Sequence, residues 1–271
     1  MTKQLAAPTK RPIRLAPVRP NAGLTAAYQR RLDREIAEMQ RSVLYHIRAA
    51  YRRNPPEMAA DESPAATLHR LMRNLSRQWL KRFADLAATW GPKFGTDAVG
   101  AADRSFAAAL RKAGFTVRFR MTPAANDIMR ATIAEQVNLI KSIPAEYLTQ
   151  VQGIVMRSVQ AGGDLGPLAA EIEKQYGVTR RRAAFIAQDQ NAKATASITK
   201  ARQLEIGITQ ARWLHSAGGK VPRETHVKAS REGVVYNVRE GWLDPHENKR
   251  IWPGQLPRCR CVAIPIIPGL Q

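Results

Sequence analysis

The sequence predicts a mainly α-helical protein with a small C-terminal α+β domain: a long helical N-terminal region followed by a compact mixed unit. Three observations carry this. Apolar residues recur at three- and four-residue spacing through most of the first 207 positions. Prolines and glycines punctuate these stretches in the order helices use, Pro at the start and Gly past the end. After Gly207 the periodicity gives way to short alternating segments.

Taken in order, residues 1–23 are rich in proline, carry five basic residues and show no apolar period, and so read as a flexible basic arm. From Leu24 a stripe follows through Tyr28, Leu32, Ile36, Met39, Val43, Ile47 and Tyr51, ending at the Pro55–Pro56 pair. A second helix opens with Ser63 as N-cap and Pro64 at its first position; its face is Leu68, Leu71, Met72, Leu75, Trp79, Phe83, Leu86 and Trp90. A third covers about 97–113 and stops at Gly114. In "FTVRFRM" (115–121), Phe115, Val117, Phe119 and Met121 alternate with polar residues, which predicts a half-buried strand. Helices restart at Thr122–Pro123 and at Pro144. A shorter one closes at Gly177, and the last runs from Thr179 to Gly207. Beyond it, "TQARWLHS", "GVVYNV" and "RCRCVAIPI" read as strands and "PRETHVKAS" as one or two helical turns. The expected organisation is therefore an arm at 1–23, a helical region at 24–207 and an α+β domain at 208–271.

Composition narrows the partners. The chain carries 43 Lys+Arg against 22 Asp+Glu, a net charge of +21. Residues 1–120 hold 23 basic and 9 acidic side chains, and residues 181–271 hold 15 and 7, so the excess sits at the two ends. Such a surface attracts polyanions, nucleic acid foremost. No apolar run approaches the ~18 residues of a membrane span, no secretory segment is read near Met1, and two cysteines make no disulfide framework. A cytoplasmic protein without a membrane segment is expected.

The sequence contains no P-loop, GxGxxG, GxSxG or HExxH motif. Candidate chemistry gathers in "WLHSAGGKVPRETH" (213–226) and "PGQLPRCRC" (253–261). Cys259 and Cys261, two apart on a strand, would face the same side. They read as small apolar residues on the buried face, with Arg258 and Arg260 outward. The alternative is a zinc site formed with His226 or His215, although the usual second ligand pair at short spacing is missing. A cytoplasm disfavours a disulfide between them. A further alternative is a metal-independent nuclease, with His215 and His226 as acid and base and Lys220 or Arg223 steadying the phosphate charge.

The pattern W-x-H-S-x-G-G-K-x-P-R-x-x-H followed by PG-x-x-x-R-C-R-C resembles the C-terminal domain of phage head morphogenesis proteins, the minor head proteins similar to protein F of phage Mu. "EQVNLIKSIPAEYL" (135–148) and "RRAAFIAQDQNAKATASITKARQLEIGI" (181–208) are similar to the helical segments that precede that domain. By position, the signature residues are Trp213, Arg223, His226, Gly233, Pro253, Gly254, Cys259 and Cys261. The resemblance implies a non-enzymatic minor capsid protein of a tailed phage or prophage. It would sit in the head interior or at the portal vertex, pass through the host cytoplasm during assembly, and meet portal, capsid or scaffold proteins and double-stranded DNA. It implies no cofactor; the alternatives remain zinc and a virion-delivered nuclease or toxin-like domain.

Overall fold

A computed structural model describes residues 12–53, 63–161, 165–218 and 221–268. In chain order the elements are β1 (Ile13–Arg14), α1 (Ala22–Arg53), α2 (Pro64–Lys112), α3 (Pro123–Gln160), α4 (Leu165–Glu205), β2 (Gln210–Leu214), α5 (Glu224–Glu232), β3 (Val235–Asn237), β4 (Trp242–Asp244), β5 (Lys249–Ile251) and β6 (Val262–Ile267). The protein is mainly α-helical with a small antiparallel sheet region at the C-terminal end, as its periodicity predicts.

Start and stop signals act as read. Ser63 Oγ accepts from the amide of Ala66 at 3.1 Å and Thr122 Oγ1 from that of Ala125 at 3.3 Å, side-chain caps for donors that lack helical partners. Gly114 and Gly207 end their helices at φ +90° and +79°. Breaks expected inside the helices are absent. α2 runs through Pro92, α3 through Pro144 and α4 through Gly177. An interior proline forfeits one ladder bond at a cost of about 3 kcal/mol. Burial of the neighbouring Ile143, Tyr147 and Leu148 offsets that at Pro144. Thr179, expected as the start of the last helix, instead lies in mid-helix and bonds back to the carbonyl of Gln175 at 3.0 Å.

The chain divides into two compact units, and each long helix contributes residues to both. One comprises Ala26–Lys93 and Ile133–Ala187. The stripe of α1 is its core: Leu32, Ile36, Met39, Val43 and Ile47 are wholly buried, with Phe83 of α2 and Val151 and Val155 of α3. Several polar residues there pair across helices. Tyr28 donates to Gln136 at 2.8 Å, Tyr147 donates to Gln40, and Gln40 donates to Glu173 at 3.1 Å. Burial pushes both phenols well above the ordinary tyrosine range.

The second unit comprises the chain up to Thr25, Phe94–Thr132 and everything from Gln188 onward. The units thus part at positions other than the boundary at 207 that the change of periodicity suggests. A four-stranded antiparallel sheet in the order β1-β6-β2-β3 organises this second unit. β1 lies within the stretch expected as a flexible arm: Ile13 pairs with Ile267, Leu15 donates to the carbonyl of Pro265 at 2.9 Å, and Leu15 and Val18 are buried. Three apolar anchors hold residues 13–18, too few to leave a periodic signal; residues 1–11 lie outside the described residues. The strand expected at 115–121 is also corrected. Phe115, Val117 and Phe119 keep alternating burial and pack against Phe106, Leu110 and Ile208, but they pair with no ladder, and Met121 is exposed.

Candidate functional site

Four short elements of the second unit converge on one buried cluster. β2 pairs with both β3 and β6, which turns Ala211 and Trp213 inward from the centre of the sheet. α5 follows Arg223, and its third residue, His226, is 2% exposed. Gly233 ends α5 in the left-handed conformation, its amide reaching the carbonyls of Ala229 and Ser230. The β4–β5 hairpin, unread in the sequence, pairs Trp242 with Ile251 and contributes Asp244, wholly buried.

The segment before β6 supplies the sulfurs. The cysteines do not lie in a strand, since β6 begins at Val262. Arg258, at φ +61°, donates its amide to Asp189 of α4 at 2.7 Å. Arg260 bonds the carbonyl of Gly218 at 2.6 Å and Gln188 at 2.7 Å. These ties, rather than a ladder, hold Arg258 and Arg260 outward and Cys259 and Cys261 inward at 4% exposure each.

Inside the cluster, His226 lies between the two sulfurs and a carboxylate. Nδ1 lies 3.6 Å from Sγ of Cys259 and 3.6 Å from Sγ of Cys261. Nε2 lies 3.4 Å from Oδ2 of Asp244, close enough for charge interaction but without the alignment of a hydrogen bond. Oδ1 of Asp244 accepts from the amide of His246 at 3.1 Å. The ring meets Trp213 edge-on at 4.8 Å, and Trp242 tilts against Trp213 at 4.9 Å. The neighbouring Cys261 thiol holds Cys259 well below the ordinary thiol range; burial opposes this and His226 supports it. Cys261 is pushed up, by Cys259 and by burial.

Of the residues singled out in the sequence, Trp213, His226, Cys259 and Cys261 come together. Gly254, at φ +83°, turns the chain beside them, so that a Cβ there would lie 3.4 Å from the Cys261 carbonyl. Arg223 lines the adjoining cleft and donates to the carbonyl of Pro257 at 3.2 Å. Pro253 lines a separate pocket with Trp252 and Lys200, and Gly233 lies against Arg212 instead. His215, in the cleft, accepts the Ala217 amide on Nδ1 at 3.1 Å. Lys220 lies outside the described residues. For the acid–base alternative the geometry is unfavourable: Nδ1 of His226 faces the two sulfurs, Nε2 faces the Asp244 carboxylate, and the residue is 2% exposed. Asp244 and Trp242 went unnoticed, because "GWLDP" reads as a turn and no local signal marks a buried acid.

Residues 149–264 match the family of phage Mu protein F like proteins. An uncharacterized protein of Haemophilus influenzae (strain Rd) is 36% identical over 148 residues, 55% of this chain and 31% of its own length. The chain thus spans under a third of that relative. No solved structure matches.

Proposed function

From the premise that segment 149–264 of this chain belongs to the phage Mu protein F like family, we propose that the protein acts in phage head morphogenesis as a minor, non-enzymatic head component. It associates with the portal and contacts packaged double-stranded DNA without sequence preference. The observation that carries the reading is the reach of the match. It runs from within α3 through α4, β2, α5, β3 and the β4–β5 hairpin to the start of β6, so it takes in the whole buried cluster and not a short motif. The net charge of +21 supports the DNA contact. The inward-facing nitrogens of His226 favour a structural role over hydrolysis. Among the described residues no helix is long and apolar enough to cross a membrane.

Co-expression with the portal protein encoded in the same phage or prophage tests this. The expected result is retention of the chain by tagged portal at moderate salt and its presence, at few copies, in purified heads. Heads that assemble without the chain, together with no retention by portal, would overturn the reading.

A further inference from the structure

Two sulfurs converge on one imidazole nitrogen, and hydrogen bonding accounts for only one of them. An imidazole nitrogen has a single in-plane lone pair or a single N–H, yet Sγ of Cys259 and Sγ of Cys261 stand at equal distances of 3.6 Å from Nδ1. A tetrahedral zinc ion, with Zn–S about 2.3 Å and Zn–N about 2.0–2.1 Å, places sulfur and nitrogen about 3.5–3.6 Å apart. All three donor atoms lie within 4.8 Å of one another.

A second, independent observation sits behind the ring. Asp244 is wholly buried and its Oδ2 has no hydrogen-bond partner; Nε2 of His226, 3.4 Å away, has none either. Burying a carboxylate oxygen unpaired is costly. A cation on the far nitrogen removes the anomaly, because a metal-bound histidine presents its other N–H to a carboxylate, which orients the ring.

We infer that Cys259, Cys261 and Nδ1 of His226 bind one thiolate-preferring divalent cation, zinc by class, with Asp244 orienting His226 through Nε2. Thiolate donors select soft or borderline ions over magnesium and calcium. The missing close-spaced second pair is not an obstacle, since α5 delivers the third ligand from 33 residues upstream of Cys259. Among the described residues no further Cys, His, Asp or Glu joins the group. The fourth position therefore falls to water or an anion in the cleft that the three ligands line with His215, Ser216 and Arg223. The assignment is independent of any role in a phage head.

The full-length chain, stripped with chelator and dialysed, is titrated with cobalt(II) and then zinc. The expected result is one equivalent of cobalt with a thiolate-to-cobalt charge-transfer band, displaced by zinc, and a higher thermal midpoint on zinc addition. Cys259→Ser, Cys261→Ser and His226→Ala each abolish the band. Because those variants risk misfolding, Asp244→Asn serves as the milder probe: it retains one equivalent while affinity falls about 10–100-fold. A stripped wild-type chain that stays folded and takes up neither metal would overturn the site. So would a Cys259–Cys261 disulfide in protein purified without oxidant.

Discussion

Gly241 and Gly207 share a left-handed backbone, at φ +81° and +79°, but not a neighbourhood. A Cβ on Gly241 would come within 2.8 Å of the Ile251 carbonyl and 3.1 Å of the Trp252 ring, whereas a Cβ on Gly207 meets nothing within 4 Å. Gly207→Ala should therefore cost only the left-handed strain, about 1–2 kcal/mol. Gly241→Ala adds a clash with rigid backbone and should cost clearly more, above about 2 kcal/mol. Urea unfolding of the two variants compares them directly, and equal losses would show that the hairpin yields to the added methyl. The same contrast bounds what a residue reveals in isolation. A glycine after a helix announces its conformation, but only the folded chain says what lies beside it.

At the scale of the element, α4 is pinned by a buried cation. The Arg202 side chain is 1% exposed and grips Asp103 with two bonds of 2.8 Å, while also donating to Glu205 and to the carbonyl of Arg120 at 2.8 Å. It joins the C-terminal end of α4 to α2 and to the extended segment after it. Arg202→Ala should destabilise the protein by about 2–4 kcal/mol; the partners are partly exposed, which places the loss toward the low end for a broken buried ion pair. Arg202→Lys keeps the charge but loses the fork and should fall between the two. An alanine variant that unfolds at the wild-type denaturant concentration would show that the network is dispensable.

For the molecule as a whole, the testable property is charge. With a net +21 concentrated toward both ends, DNA binding should be non-specific and steeply salt-dependent. If about six phosphates are neutralised, affinity should drop about 10³-fold between 50 and 200 mM salt. Gel shifts with unrelated duplexes across that range provide the measurement. Strong preference for one duplex, or no binding at low salt, would remove DNA contact from the proposed role.

Local chemistry was enough to predict the mainly helical character, the caps at Ser63 and Thr122, and the stops at Gly114 and Gly207. Each depends on periodicity, a side-chain oxygen or a missing Cβ within a few residues. Continuity through Pro144 and Gly177 was not legible, because the burial that offsets a lost ladder bond comes from partners distant in the chain. β1 escaped notice for the same reason: its partner strand lies some 250 residues away. The candidate site divides along that line. Its sulfurs and histidine could be named in advance, but their equal spacing about Nδ1 and the orphaned carboxylate of Asp244 exist only once β2, α5, the β4–β5 hairpin and the turn at Gly254 pack together. Distances between donors belong to tertiary structure, and it is those distances that carry the proposal of two small buried cysteines as ligands.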